Sequence, residues 1–369
     1  MLQNPPAEPG MSLDEIDTPA LVVDLDAFEY NLNFMAAQAA AAGVKLRPHA
    51  KTHKSPVIAL MQMARGAVGQ CVQKVAEAEI LAWGGVKDIL VSNEVVSPRK
   101  LARLAALAHI AKISVCVDNA TIVPAIEAAA RASGANLNVL VEIEVGAERC
   151  GIAAGQSVIT IAQAIAASPH LTFGGLQAYH GRAQHQRTPQ ERAQSIAQAT
   201  EITASVVSDL AAVGLNCPIV GGAGTGTFAL EAGSGVFTEL QVGSYIFMDA
   251  DYGRNTPPPP FQNALFVLAS VMSAPTPDRA VVDAGLKAVA VDSGLPVVWN
   301  RPGVTYSGAS DEHGTLSLEP GTPLLALDER VLLIPGHCDP TVDRYDWYVG
   351  VRNNRVERVW PVAARGAMG

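Results

Sequence analysis

The sequence predicts an α/β protein, an N-terminal (β/α)8 TIM-type barrel followed by a C-terminal, mostly antiparallel β domain. Three observations carry this. From residue 44 to residue 242, eight short apolar, strand-like runs alternate with helix-like runs, which is the rhythm of parallel βα units. Eight such units match a closed barrel. After about residue 253 the texture changes, and four consecutive prolines at 257–260 open a stretch of glycine, proline and apolar alternation. Finally, 369 residues with 49% apolar content suffice for a substantial core. The competing open, doubly wound sheet normally carries a dinucleotide loop near its first strand, and no GxGxxG follows the first strand here.

Residues 1–17 are proline-rich and polar. Residues 18–25 read as a strand, expected to pair into the β domain. A helix follows from about Asp26, an acceptable N-cap, to Ala42, and Gly43 ends it because glycine tolerates the left-handed conformation. The barrel strands are expected at 44–47, 69–73, 88–91, 112–117, 138–143, 172–177, 218–220 and 239–242. Helices are expected at 55–66, 75–83, 97–110, 120–133, 156–167 and 189–213. Beyond them, 264–272, 279–283, 315–318, 331–334, 346–350 and 355–360 read as antiparallel strands. The expected organisation is an N-terminal segment 1–25 whose strand joins the β domain, a barrel over 26–253, and a β domain with a metal site over 254–369.

The net charge of -9 argues against nucleic acid and anionic membrane as partners, since both repel an acidic surface. Five widely spaced cysteines without a CxxC pair argue against a disulfide framework. The start of the chain lacks the basic and apolar pattern of a signal peptide, and no apolar run is long enough to span a bilayer. The expected setting is a reducing cytoplasm.

Against this acidic background stands a basic stretch, Arg47-Pro48-His49-Ala50-Lys51-Thr52-His53-Lys54, at the end of the first barrel strand. Barrels build their sites at strand ends, so Lys51 is a candidate centre of chemistry; a solvated basic turn is the alternative. Gly221-Gly222-Ala223-Gly224-Thr225-Gly226-Thr227 follows the seventh strand, where barrels frequently bind phosphate. It has no GK[ST], so it is not a nucleotide P-loop. Arg149, after the fifth strand, can grip a ring hydroxyl or carboxylate with its planar fork. Tyr179, after the sixth, can pack on or bond to a cofactor ring, and His180 or His185 can move a proton near neutral pH. His337 and Asp339, two apart on what reads as an extended segment, would project to one face and offer an imidazole and a carboxylate to a divalent metal. The cluster 310–314, with His313, is either a further polar site or a hairpin turn. A strand-end lysine with a distant anion nest suits pyridoxal phosphate, and equally a phosphorylated sugar.

With these motifs in order, residues 16–366 resemble the D-threonine aldolase and D-serine dehydratase family of pyridoxal-phosphate enzymes, which share the alanine-racemase fold (fold type III). The resemblance implies that Lys51 carries pyridoxal 5'-phosphate, that Gly222, Gly224, Thr225, Gly226 and Thr227 form the phosphate loop, that Arg149 and Tyr179 contact the cofactor, and that His185 transfers a proton. His337 and Asp339 match the His-x-Asp metal pair of the aldolase branch rather than the His-x-Cys of the dehydratases, with Cys338 between them not the matching cysteine. A carboxylate in the pair favours Mn²⁺ or Mg²⁺ over Zn²⁺. The implied activity is cleavage of D-β-hydroxy-α-amino acids, such as D-threonine and 3-hydroxy-D-aspartate, to glycine and an aldehyde, by a homodimer acting on this small-molecule substrate. Dehydration of D-serine or D-threo-3-hydroxyaspartate, and cofactor binding without catalysis, are the alternatives. A racemase would need a second base, and none is identifiable.

Overall fold

The first long helix starts one residue before its expected N-cap. Leu25–Ala42 begins at Asp24, whose carboxylate accepts hydrogen bonds from the Asp26 and Ala27 amides. Asp24 offers an extended backbone and a free acceptor, whereas Asp26 already lies in the first turn. Gly43 ends the helix at φ +68°. The computed structural model describes residues 3–369.

Eight parallel strands follow: Lys45–Leu46, Gln70–Val72, Asp88–Glu94, Lys112–Val117, Leu137–Glu142, Leu171–Gln177, Ile219–Gly222 and Glu239–Leu240. Each pairs with the next from the second onward, and the eighth pairs with the first. The circuit closes between the first and second, where Val68 N–H donates to Leu46 O and a parallel bridge joins His49 to Cys71. Strands covered on both faces read as continuous apolar runs. In Asp88–Glu94, Leu90 packs inside the barrel with Cys71, Cys116, Leu140 and Ile219, while Ile89 and Val91 pack under the surrounding helices. Arg47, expected only as part of a basic turn, is buried in the wall, 2.5 Å from Glu239 and 2.6 Å from Asp88.

The second sheet has nine strands. Its main path runs Val304–Ala309, Gly314–Leu318, Arg279–Val282, Leu265–Thr276, Ala20–Asp24, Trp347–Arg352 and Arg355–Pro361. Arg330–Ile334 pairs with Leu265–Thr276 and with Val297–Val298. The strand Ala20–Asp24 lies in the middle of this sheet, antiparallel to Leu265–Thr276 and parallel to Trp347–Arg352. Val297–Val298 and Val304–Ala309 escape the sequence pattern: the first is two residues long, and a bulge after Tyr306 breaks the alternation of the second. The cluster 310–314 is the hairpin turn between Val304–Ala309 and Gly314–Leu318.

One apolar cluster spans helix Leu25–Ala42, the end of the barrel and the inner face of the second sheet. The aromatic rings of Phe247, Tyr348 and Trp360 pack in sequence across it. The closing edge of the barrel and the β domain are therefore held against each other by packed side chains. No helix among the described residues is long and apolar enough to cross a membrane.

Candidate active site

Two adjoining cavities lie at the strand ends facing the β domain. The inner one, about 200 Å³, is lined by Lys51, His49, Arg149, Tyr179, Gly224 and Thr225, together with Gln73, Ser92, Gln177, Gln241, Gly243, Ser244 and Tyr252. The outer one, about 290 Å³, is lined by His185, His337, Asp339, Asp249, Asp251 and Arg182. Lys51, Arg149, Tyr179, Ser244 and Tyr252 form the wall common to both.

Lys51 stands on a turn just after the first strand, with its side chain 41% exposed and its Nζ 3.4 Å from Asp339 Oδ2. That carboxylate raises the lysine above its ordinary pKa, against the opposite pull of burial. The Lys51 amide donates to His49 Nδ1, and His49 Nε2 lies 2.8 Å from Gln73 Nε2 and 3.2 Å from Ser92 Oγ. Burial, helped by the Lys51 ammonium, pushes His49 far below its ordinary pKa, so the ring is neutral. Arg149 lies over the Tyr179 ring, 5.9 Å from its centroid. Burial raises the Tyr179 phenol, and the Lys51 and Arg149 cations pull it part of the way back. Gln177 and Gln241 exchange amide hydrogen bonds of 2.7 and 2.8 Å beside them.

The glycine-rich loop divides. Gly224 and Thr225 face the inner cavity, and the buried Thr225 hydroxyl has no partner within the protein. Gly222, Gly226 and Thr227 line neither cavity. Gly226 N–H donates to Gln184 Oε1, and the Thr227 hydroxyl accepts from Gln184 and donates to Glu231. The glycines are needed because Gln184 packs against the loop: a Cβ on Gly224 would sit 2.5 Å from its Cδ. An orphaned hydroxyl beside a lysine, at the end of a barrel's seventh strand, fits the phosphate of a lysine-linked cofactor.

The outer cavity gathers the remaining candidates. His185 Nδ1 lies 2.5 Å from Asp251 Oδ2, and Asp251 Oδ1 accepts from Arg187 and Arg254 at 2.5 and 2.6 Å. Burial pushes the Asp251 carboxyl up, but the hydrogen bonds from His185 and Arg187 outweigh it and hold it well below the ordinary range. His180 is packed against Gly146 and lines neither cavity.

His337 and Asp339 share this cavity, though not by strand alternation as the sequence suggested. His337 is the extended N-cap of a short helix, Cys338–Val342, so Asp339 sits in its first turn. His337 Nδ1 is 2.8 Å from Asp292 Oδ2, a carboxylate placed to orient the ring, and Asp339 Oδ1 is buried without a partner. An oriented imidazole and an orphaned carboxylate oxygen fit two ligands of a divalent ion. Among the described residues no group of three or more His, Cys, Asp or Glu side chains is placed to hold a metal. Cys338 faces away, its thiol donating to Met248 O and its amide to Asp249 Oδ2.

Gln73, Ser92, Gln241, Gly243, Ser244, Tyr252 and Asp251 were not singled out from the sequence, and His49 was read there only as part of the basic stretch, with no role assigned. Gly243-Ser244 carried a usable signal, a small-residue pair just after the eighth strand, where barrels also bind phosphate. The others are ordinary polar residues whose convergence depends on the fold.

A barrel carrying a strand-end lysine and a glycine-rich loop, closed by a β domain, defines the class of alanine-racemase-fold pyridoxal-phosphate proteins. Comparison with known families agrees: residues 23–251 match the alanine racemase N-terminal domain, and residues 264–351 match a putative serine dehydratase domain. The chain is 50% identical to a D-threonine aldolase of an Arthrobacter species, over 98% of this chain and 96% of that protein. It is 48% identical to a 3-hydroxy-D-aspartate aldolase of Paracoccus denitrificans (strain Pd 1222), over 98% and 95%. The crystal structure of a D-threonine aldolase from Filomicrobium marinum superposes with a TM-score of 0.98 at 49% identity, covering 100% of both chains. The chain belongs to the D-threonine aldolase family.

Proposed function

We propose that the protein cleaves D-β-hydroxy-α-amino acids such as D-threonine and 3-hydroxy-D-aspartate to glycine and an aldehyde, using pyridoxal 5'-phosphate at Lys51 and a divalent metal at His337 and Asp339. The observation that carries this reading is the common wall: the lysine of the inner cavity lies 3.4 Å from the carboxylate of the outer one. A molecule attached at Lys51 would thus extend toward His337, Asp339 and His185.

Each side chain then has a task. Thr225 and the Gly224 backbone hold the phosphate end. Arg149 and Tyr179 fix the ring, while neutral His49 fills the cavity wall without adding charge. Pyridoxal phosphate, when bound, supplies the electron sink that accepts the pair released by the breaking Cα–Cβ bond. A divalent ion on His337 and Asp339 would supply the Lewis acidity that lowers the pKa of the β-hydroxyl. His185 removes the hydroxyl proton, with Asp251 aligning its Nδ1–H so that Nε2 is the accepting atom. Protonation at Cα completes glycine. The imidazole–carboxylate pair favours Mn²⁺ or Mg²⁺, with Zn²⁺ a poorer match.

We further infer a homodimer. Met272, Leu295, Val297, Trp299, Leu324 and Leu327 are all more than a third exposed on the β domain, apolar surface of the kind that subunit contact covers. The five free cysteines support a reducing cytoplasm as the setting.

The test is product identification with D-threonine, D-serine and the 3-hydroxy-D-aspartates, with and without Mn²⁺. Glycine with acetaldehyde or glyoxylate is expected. Pyruvate or oxaloacetate with ammonia, and no glycine, would make the protein a dehydratase. A bound chromophore with no turnover would make it a binding protein.

A further inference from the structure

A second lysine of the basic stretch has no task in this chemistry, yet it is the more deeply buried of the two. Lys54 has a side chain only 7% exposed, and its Nζ lies 2.7 Å from Asp343 Oδ1 and 3.4 Å from Glu77 Oε1. Taking this ammonium and the Glu77 carboxylate out of water, with Asp343 itself only 19% exposed, is costly, and an apolar side chain would fill the space more cheaply. The backbone there is unusual as well. Lys54 sits at φ +49°, left-handed for a residue with a Cβ. Its amide donates to Ala50 O, and its carbonyl accepts from the Ala364 amide of the C-terminal tail. Position, charge and backbone are all fixed.

What this arrangement joins is specific. Lys51 and Lys54 lie three residues apart on one barrel turn, and Asp339 and Asp343 lie four apart on and just after one turn of the short β-domain helix. Lys51 faces Asp339, and Lys54 faces Asp343. Two lysine–aspartate pairs therefore run side by side across a single junction, one in the open cavity and one buried behind it. The buried pair is anchored on both sides. Glu77 Oε2 accepts from the Gln73 and Lys74 amides at a helix start, and Asp343 Oδ1 accepts from the Gly366 amide. Gln73 in turn contacts His49 in the inner cavity.

We propose that Lys54 and Asp343 are positioning residues, a buried lock that holds the lysine turn and the metal-binding helix at one fixed spacing and so couples the cofactor half of the site to the metal half. The inference rests on the roles proposed for Lys51, His337 and Asp339. It explains why a charged pair is retained at a buried junction: a directional contact fixes register where an apolar one would slide.

The test compares Asp343→Asn, Lys54→Met and Lys54→Arg with the wild-type holoenzyme. Asp343→Asn keeps an acceptor for Gly366 and removes only the charge, so it is the variant expected to stay folded. It is expected to keep its lysine-linked chromophore and its KM for D-threonine, while Mn²⁺ binding weakens and kcat falls, each by about 10–100-fold, the usual effect of losing a group that orients a metal ligand. Hydrogen exchange is expected to rise together in segments 50–55 and 337–343, before any metal is added. Lys54→Met should reproduce this pattern, and Lys54→Arg should recover part of it. A folded Asp343→Asn with unchanged Mn²⁺ affinity and unchanged exchange in both segments overturns the proposal. If the wild type itself binds no Mn²⁺ and yields no glycine, the roles of His337 and Asp339 fail first and the lock falls with them.

Discussion

Glu231 is buried beneath the glycine-rich loop, and removing its charge should stabilise the protein in a pH-dependent way. Its Oε1 accepts from the Thr227 hydroxyl, and its Oε2 has no partner. Burial pushes the carboxyl from its ordinary 4.5 up to about 7, with the Thr227 hydrogen bond pulling the other way. The folded state therefore holds a proton that the unfolded chain has already released over this interval. Stability then falls as pH rises from 4.5 to 7 and stays lowered above it. Linkage between these two values costs about 1 kcal/mol at pH 5 and about 3 kcal/mol at pH 8. Glu231→Gln keeps the acceptor for Thr227 and removes the titration. Urea unfolding of variant and wild type at both pH values should give a stability gain in the variant that is larger at pH 8 by about 2 kcal/mol. A gain independent of pH, or a variant less stable than wild type at pH 8, would refute the reasoning. Thr227 continues the loop that opens at Gly224, so the same substitution should also slow loss of pyridoxal phosphate at pH 8.

Other consequences are open to direct measurement. Lys51→Ala should lose the lysine-linked absorbance of bound pyridoxal phosphate, and a retained chromophore of that kind would refute the assignment. Chelation should abolish aldol cleavage without stripping the cofactor, and Mn²⁺ should restore it; full activity in metal-free protein would end the metal reading. Asp251→Asn should lower kcat by about 10²-fold, the scale of a mispositioned general base, while leaving the chromophore intact. Arg47→Met leaves Glu239 unpaired in the barrel wall, with Asp88 keeping only Lys112 at 3.5 Å, and should cost about 3–5 kcal/mol, seen as a lower unfolding midpoint with little change in KM for the enzyme that remains folded.

The barrel was legible because its signal is local. Continuous apolar runs such as Ile89, Leu90 and Val91, set between alanine-rich helices, state their environment residue by residue. Lys51, the loop at Gly224 and Thr225, Arg149 and Tyr179 could be placed because a barrel directs strand ends to one face, and the family resemblance selected among the possible ligands. The pairing of His337 with Asp339 was legible as a composition, but its geometry was misread. The period-two argument assumes an extended chain, and the chain turns into a helix at Cys338. Asp251 carries no local mark. It is one acidic residue in Asp249-Ala250-Asp251-Tyr252, and only the approach of His185, Arg187 and Arg254 sets it apart. The split of the glycine-rich loop was hidden for the same reason, since it is decided by Gln184, which arrives from another strand end.

The two cavities also suggest where reaction choice is made. On the proposed reading the barrel supplies the lysine, the anion nest and the ring contacts, and these would serve many reactions of a lysine-linked cofactor equally well. The β domain adds little by residue count to the outer cavity: His337 and Asp339, with Asp292 orienting the histidine. These are placed by one helix of five residues, too short to hold its position through its own hydrogen bonds. Its position must come from neighbours: Cys338 bonded to Met248 and Asp249 on the barrel side, Asp343 bonded to Lys54, and Tyr348 donating to His53 O. All four contacts end on barrel segments that flank the cofactor wall, while Thr341 Oγ1 accepting from the Ala290 amide and Asp343 Oδ1 accepting from the Gly366 amide tie the helix to its own domain. On the proposed reading, the barrel helps to specify where the bond-breaking group stands even though the β domain carries it. Substitutions that alter metal dependence should therefore be found on both sides of the junction, and those on the barrel side would include residues that touch neither metal nor substrate.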